Sequence, residues 1–274
     1  MKQMPNKPGK AKDPKSAPLP ESRKKRGTSS EGLIRAEVQR LVTDAEIKEA
    51  NDLETIAAEY REKSFLYYNF CSTMHNLIVN LLDNKGFKYQ ISNRVKTLDS
   101  IKEKIERNKK RGKIYRRLSD IEDLAGVRVV FNLESDKRRF VRELYKEFTP
   151  DKMKIEEHHK EKGYRSTHVL AQFGEKRLRL IEYQNFTGLK CELQLTSALY
   201  HAWSQIEHDL FYKRDPHLKS LDQDTVHALK KQLEDVMINY IQSASETFET
   251  LDKKIRRIRL IRSVHNHFRE KPMK

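Results

Sequence analysis

The stretch CELQLTSALYHAWSQIEHDLFYK, residues 191–213, predicts a β-strand that leads directly into a helix. Side chains alternate between the two faces of a strand, so the apolar odd-numbered residues of 191–195 share one face, while Glu192 and Gln194 share the other. A carboxylate beside an amide on a strand costs desolvation free energy unless that face lines a site. The stretch therefore predicts a sheet with one packed face and one functional face.

The chain around this stretch alternates between short apolar runs and helical patterns. Besides residues 190–196, strands are predicted at 127–132, 154–158, 166–173 and 177–184, and helices at 97–111, 137–148 and 197–212. This mixture predicts the α+β class, with a mixed sheet of about five strands flanked by helices. Apolar residues at helical spacing beyond residue 222 predict an added C-terminal helical segment.

Composition divides the chain into four parts. Residues 1–30 are rich in Lys, Pro, Ser and Gly and are expected to form a disordered basic arm, and residues 31–84 are predicted to be N-terminal helices. The sheet domain is predicted at 85–215, with the helical extension at 216–274. The arm fits either a solubilising role or contact with RNA, and the extension fits packing on the domain or an interface with a partner.

The bulk charge favours anionic partners. The chain has 274 residues, a formal net charge of +16 and a pI near 9.6, which suits nucleotides, nucleic acid or an acidic protein without choosing between them. An apolar run of membrane-spanning length and a signal-peptide core are both lacking, so we expect a soluble cytoplasmic protein with no membrane partner. The two cysteines lack metal-ligand spacing and are expected to be reduced.

A basic cluster and an acidic cluster precede the strands. In NRVKTLDSIKEKIERNKKRG, residues 93–112, cations surround Ser100 where a helix begins, an arrangement that can hold phosphate groups. A solvated basic helix face is the alternative. In SDIEDLAGVRVVF, residues 119–131, Asp123 comes just before an apolar strand and is the strongest candidate ligand for Mg²⁺. Helix capping is the alternative for this acidic loop.

A third cluster opens a strand at KGYRSTHVLAQF, residues 162–173. Tyr164 can stack on a nucleotide base, while Arg165 and His168 can donate hydrogen bonds to phosphates. A solvated hairpin turn is the alternative reading of this stretch.

Taken together, the clusters resemble the synthetase domain of the RelA/SpoT family, in order and separation. The resemblance rests on RVKTLDSIKEK (94–104), DLAGVRVV (123–130), GYRSTH (163–168), ELQL (192–195) and IEHDLFYK (206–213). The short chain is similar to the small alarmone synthetases. The resemblance implies a nucleotidyltransferase-like fold and transfer of the β,γ-pyrophosphate of ATP to the 3′-hydroxyl of GTP or GDP, which makes (p)ppGpp in the stringent response and requires Mg²⁺.

The resemblance also implies roles for individual residues. Asp123 and Glu192 would be catalytic and would hold the metal. The residues implied to bind ATP are Arg94, Lys96, Ser100, Lys104 and Arg128. Those implied to bind the acceptor nucleotide are Lys162, Tyr164, Arg165, His168, Gln194, Glu207 and Lys213.

One departure from the family pattern bears on the acceptor. Synthetases that act on free guanine nucleotides commonly carry arginine after the E-x-Q-x unit, whereas this chain has Thr196. Three hypotheses follow: a GTP or GDP pyrophosphokinase, a toxic relative that pyrophosphorylates the 3′ end of tRNA and has an antitoxin partner, or an inactive nucleotide- or RNA-binding module. Assembly into a homo-oligomer is a further expectation from the resemblance.

Overall fold

The computed structural model describes residues 30–159, 165–211 and 222–269. The chain divides into two compact units, Met1–Glu49 and Ala50–Lys274. Residues Ser30–Asn84 form helix α1, so the several helices predicted for residues 31–84 are a single helix. Residues 33–85 contain neither glycine nor proline, the two residues that most often interrupt a helix. The predicted basic arm lies outside the described residues, apart from Ser30.

Five strands form one mixed sheet, as the sequence predicts. They are β1 (Tyr89–Val95), β2 (Ala125–Phe131), β3 (Met153–His159), β4 (Arg165–Ala171) and β5 (Cys191–Ser197). Their spatial order is β1-β2-β5-β4-β3. Strands β2 and β5 run parallel at the centre, and the other neighbours are antiparallel.

Helices precede, connect and follow the strands. They are α2 (Leu98–Lys109), α3 (Glu134–Glu147), the short α4 (Glu175–Leu178), α5 (Ala198–Phe211), α6 (Gln223–Val236) and α7 (Ser243–Arg269). A π-helical turn at Met237–Gln242 joins α6 to α7. The predicted C-terminal helical segment is thus confirmed.

One strand prediction is wrong, and one strand of the sheet was not predicted. Residues 177–184 are not a strand: they continue from the short helix α4 into turns, and Leu180 and Ile181 are 50% and 83% exposed. Charged and apolar residues alternate there by chance, without a neighbouring strand to pair with. Strand β1 was missed because it lies at the edge of the sheet, where only the β2 side is paired and most of its side chains are partly or fully exposed.

The main core covers one face of the central strands. It includes Phe70 and Met74 of α1, Val127 of β2 and Leu193 of β5, all buried. The Phe70 ring packs 5.5 Å from the rings of both Phe173 and Phe186, measured between centroids. Because this face of β5 is apolar and closed, Glu192 and Gln194 lie on the other face, as the alternation predicts.

A second, smaller core fixes the C-terminal helices. Tyr200 and Trp203 of α5 pack with Met237, and the Trp203 indole Nε1–H donates a hydrogen bond of 3.1 Å to the carbonyl of Leu233. These contacts attach the helical extension to α5, the helix that follows β5.

Within the described part of the chain, none of the helices combines the length and apolar character needed to cross a membrane.

Candidate active site

The polar face of the sheet brings side chains from three strands into one row. In the register of the sheet, Gln194 of β5 lies opposite Arg128 of β2 on one side and His168 of β4 on the other. Glu192 lies two residues before Gln194 and therefore points to the same face. Arg128 and His168, which are 66 and 24 positions away in sequence from their respective partners Gln194 and Glu192, thus become their neighbours.

Hydrogen bonds connect this row from end to end. His168 Nδ1 lies 3.0 Å from Glu192 Oε1, and the Gln194 amide nitrogen donates to Glu192 Oε2 at 2.7 Å. Arg128 donates from Nε and Nη2 to the Gln194 carbonyl oxygen, at 3.2 and 3.0 Å. Arg128 therefore fixes which end of the Gln194 amide faces Glu192, because the guanidinium can only donate and the carboxylate can only accept.

Asp123 precedes β2 and is held by two lysines. Lys104 of α2 places Nζ 2.6 Å from Asp123 Oδ1, and Lys96, between β1 and α2, places Nζ 3.2 Å from Oδ2. The backbone N–H of Lys96 donates to the carbonyl of Leu124 at 2.8 Å, which ties this corner to the start of β2. Both lysines were expected to bind ATP from sequence, and the structure brings them to the carboxylate expected to hold Mg²⁺.

The N-terminus of α2 lies beside these lysines in sequence. Thr97 caps it: its Oγ1 accepts a hydrogen bond from the Ser100 backbone N–H at 3.3 Å. The hydroxyl of Thr97 also donates to Ser100 Oγ at 3.0 Å, and Ser100 remains exposed. A helix N-terminus with exposed donors and nearby cations is suited to phosphate groups.

Two surface depressions meet at Asp123 and Glu192. One is also lined by Lys104, Lys113, Glu156 and His168, and the other by Asn93, Arg94, Arg128 and Gln194. Both carboxylates line both depressions, so they stand between them. Each depression combines at least one residue implied to bind ATP with one implied to bind the acceptor, so the two predicted sets are not segregated.

Both carboxylates have lowered pKa values. Burial works to raise the pKa of Asp123, but the hydrogen bond and charge of Lys104 and the charge of Lys96 outweigh it. Burial also works to raise the pKa of Glu192, and the Asp123 charge adds to this, but His168 and the Gln194 hydrogen bond outweigh both. Both groups are therefore ionised at neutral pH, which suits a proton acceptor and a cation ligand.

The geometry fits a magnesium ion that completes its coordination with substrate phosphates. Among the described residues there is no group of three or more His, Cys, Asp or Glu side chains placed to hold a metal ion. Mg²⁺ does not require one, since it is usually bound through one or two carboxylates, water and phosphate oxygens. Asp123 and Glu192 supply two carboxylates that line the same depressions.

Sequence reasoning missed several residues that line the site. Lys113 and Glu156 line the first depression and Asn93 the second. Glu156 reaches the site through the pairing of β3 with β4, where it lies opposite His168, and the His158 ring packs 4.3 Å from the His168 ring between centroids. Strand register places Glu156 there and the loop after α2 places Lys113, so neither is signalled by a local motif.

The remaining predicted site residues either lie outside the described part of the chain or make other contacts there. Lys162, Tyr164 and Lys213 lie outside the described residues. Arg165 is described, but its guanidinium donates to the Tyr200 hydroxyl at 3.4 Å, and its Cζ lies 5.5 Å from the centroid of that ring. Glu207 lies half-buried on α5, and among the described residues it is not part of the lining of either depression.

Thr196 is buried at the end of the row. Its hydroxyl donates to the carbonyl of Arg165 at 3.3 Å, and the side chain is 5% exposed. The position where the family pattern commonly has an arginine is therefore closed to solvent and carries no cation.

The chain is similar to known proteins over the region that contains these residues. Residues 93–217 match the family model described as the region found in RelA / SpoT proteins. Over 222 residues the chain is 25% identical to the GTP pyrophosphokinase YwaC of Bacillus subtilis (strain 168), covering 77% of this chain and 96% of that protein.

Solved structures of the small alarmone synthetase 1 from Bacillus subtilis share the fold. One superposes with a TM-score of 0.55 at 15% identity, covering 73% of this chain and 99% of the synthetase. Another, bound to its product pppGpp, gives a TM-score of 0.52 at 19% identity, covering 72% of this chain and 98% of the synthetase. At these identities the likeness establishes the fold alone.

Proposed function

We propose that this chain, which carries a RelA/SpoT region in a small alarmone synthetase-like fold, transfers the β,γ-pyrophosphate of ATP to the 3′-hydroxyl of GTP or GDP. The observation that carries the proposal is the position of Glu192. It lines both depressions, beside residues implied to bind ATP and residues implied to bind the acceptor, and its carboxylate is ionised and oriented by two neighbours.

Glu192 is the proposed general base. It accepts the proton of the 3′-hydroxyl while the 3′-oxygen attacks the β-phosphorus of ATP. The bond between that phosphorus and the oxygen bridging to the α-phosphate breaks, and AMP leaves with the electron pair. Pyrophosphoryl transfer of this kind needs positioning and charge neutralisation more than covalent catalysis. His168 and Gln194 supply the positioning, since each holds one oxygen of Glu192.

The basic residues around α2 are the proposed phosphate contacts. Lys96 and Lys104 lie at Asp123, Ser100 is exposed in the first turn of the helix, and Arg94 lines the second depression. These groups can neutralise the charge that the transferred pyrophosphoryl group and the leaving AMP carry. Arg128 has a different proposed role, because its donors orient Gln194.

Asp123 and Glu192 would together hold Mg²⁺. When bound, the ion neutralises phosphate charge and helps to align the reacting groups. Tyr164, Lys162 and Lys213 would contact the acceptor on the basis of the sequence resemblance. The similarity to a GTP pyrophosphokinase, at 25% identity over 222 residues, supports a guanine nucleotide as the acceptor class.

A second candidate acceptor is the 3′ end of tRNA. Thr196 favours it, because a buried threonine leaves the end of the row without the cation that commonly meets a free nucleotide's phosphates. The net charge of +16 suits a polynucleotide partner as well, although charge alone does not select one. In this case an antitoxin partner is expected.

The acceptor assay distinguishes these functions. Purified protein is incubated with γ-³²P-ATP and Mg²⁺, with GTP, GDP or deacylated tRNA in parallel, and the labelled product is identified. Label on a guanine nucleotide supports the proposal, and label on tRNA alone supports the second candidate. The Glu192→Gln variant, tested at equal concentration, should leave both acceptors unlabelled. Wild-type protein that labels neither acceptor would leave the inactive binding module as the surviving hypothesis.

A further inference from the structure

We propose that Lys96 and Lys104 form ion pairs with Asp123 until a polyphosphate binds. The Asp123 carboxylate then becomes accessible to a divalent cation only after the lysines have moved to the phosphate groups. The inference rests on the proposed function, because it assumes that the site binds a nucleoside triphosphate with its metal. It goes further by assigning an order: free metal is excluded, and metal enters with the phosphate chain.

One ammonium group lies close to each oxygen of Asp123. Lys104 Nζ is 2.6 Å from Oδ1 and Lys96 Nζ is 3.2 Å from Oδ2. The lysine side chains are only 17% and 15% exposed, and that of Asp123 is 24% exposed. These pairs are therefore shielded from much of the solvent that weakens ion pairs at a protein surface.

The second carboxylate is also engaged. His168 Nδ1 lies 3.0 Å from Glu192 Oε1, and the Gln194 amide nitrogen donates a hydrogen bond of 2.7 Å to Oε2. A free cation would therefore meet two carboxylates, and each of their four oxygens already has an ammonium, imidazole or amide nitrogen within 3.2 Å. It would also have to approach the two ammonium groups at Asp123, which repel it.

A polyphosphate changes this balance because it gives the lysines another anion to bind. Lys96 is tied by its backbone N–H to Leu124, so its ammonium group can swing to a nearby phosphate without the chain moving. Lys104 projects from α2, whose N-terminus is itself suited to phosphate. As the ammonium groups turn to phosphate oxygens, Asp123 becomes a carboxylate with free oxygens, the kind of ligand that Mg²⁺ takes.

The test measures binding of free Mn²⁺, a paramagnetic substitute for Mg²⁺, by electron paramagnetic resonance without nucleotide. Wild-type protein should bind Mn²⁺ weakly. The Lys104→Met variant should bind at least about tenfold more tightly, because one of the two ammonium charges beside Asp123 is removed. Lys102→Met is the matched control: it removes the same charge from an exposed position of α2 and should leave the affinity near the wild-type value.

A double variant identifies the carboxylate involved. Adding Asp123→Asn to Lys104→Met should return Mn²⁺ affinity to the wild-type level or below. Equal affinity in wild type and Lys104→Met would overturn the inference, as would tight binding that persists without the Asp123 carboxylate. Circular dichroism and urea unfolding of each variant establish that the compared proteins are folded.

This measurement separates the inference from the proposed function. It requires neither an acceptor nor turnover. Tighter Mn²⁺ binding by Lys104→Met therefore supports exclusion of free metal by the lysines, whether or not pyrophosphate is transferred. Conversely, if the wild-type protein transfers pyrophosphate to GTP but Lys104→Met binds Mn²⁺ no more tightly than wild type, the exclusion of free metal is rejected and the proposed pyrophosphokinase activity is retained.

Discussion

His168 and Glu192 lie on neighbouring antiparallel strands, and His168 Nδ1 is 3.0 Å from Glu192 Oε1. An ionised carboxylate can only accept hydrogen bonds, so the Nδ1 atom of His168 carries the proton in this contact. The contact holds Glu192 from one side, while Gln194 holds it from the other. The base is thus positioned before any substrate binds.

Removal of the base is the first prediction. Glu192→Gln keeps the side-chain size but cannot accept the hydroxyl proton, so the rate of pyrophosphate transfer should fall by about 10²- to 10⁴-fold. The rate is measured as labelled product per unit time under saturating ATP. Glu106→Gln, on the exposed face of α2, removes the same charge away from the site and should retain the wild-type rate. A Glu192→Gln variant with near-normal turnover would mean that another group takes the proton.

The second prediction concerns pH. Because the pKa of Glu192 is lowered from the usual 4.5, the acid limb of the rate profile should lie below that pH in wild type. Replacement of His168 by leucine removes the hydrogen bond and the charge that do most to lower the pKa of Glu192 against the effect of burial. The pKa of Glu192 should then rise, and the acid limb should move to higher pH.

The measurement is single-turnover transfer between pH 8 and the lowest pH at which each protein stays folded. Stability follows the same sign: a carboxylate with a lowered pKa stabilises the fold above its unfolded pKa of about 4.5, and this contribution is lost as the pH falls through the lower folded value. Superimposable acid limbs in wild type and His168→Leu would show that His168 does not control Glu192.

Short-range patterns were sufficient to predict much of this fold. The alternation in β5 placed Glu192 and Gln194 on one face, and the structure confirms that arrangement. The edge strand β1 was not predicted because few of its side chains are buried. Residues 177–184 have the alternating pattern of a strand but do not pair with one. Periodicity reports how a segment could bury its own side chains, whereas pairing is decided by segments far away in sequence.

The same limit applies to the site. Spacing within a motif suggested Lys96 and Lys104 as one basic cluster and Asp123 as a separate acidic one, but their contact arises only when α2 folds against the start of β2. Glu156 and Lys113 carried no signal, since their place depends on strand register and on the loop after α2.

The third prediction is energetic coupling between Arg128 and Gln194. Arg128 makes two hydrogen bonds to the Gln194 oxygen, so either truncation should release the amide from its fixed orientation. We expect Arg128→Ala and Gln194→Ala each to slow transfer, and the double variant to be slowed by less than the product of the two effects. The coupling free energy, obtained from a double-mutant cycle in transfer rates, should be about 1–2 kcal/mol.

The matched cycle pairs Gln194→Ala with Lys102→Ala on α2. Lys102 is exposed, and additive effects are expected for sites without shared partners. Additivity in the Arg128 cycle as well would imply that the arginine acts on the nucleotide directly instead of through Gln194.

The fourth prediction tests the core beneath the site. Phe70 is fully buried and packs edge-on against Phe173 and at a tilt against Phe186. Phe70→Ala should lower the free energy of unfolding by about 3–5 kcal/mol, because the lost ring leaves a cavity that its neighbours fill only in part. Phe65 lies on the same helix but is 74% exposed, so Phe65→Ala should cost less than about 1 kcal/mol. Urea unfolding followed by circular dichroism gives both values, and similar losses for the two variants would contradict the placement of α1 against the sheet.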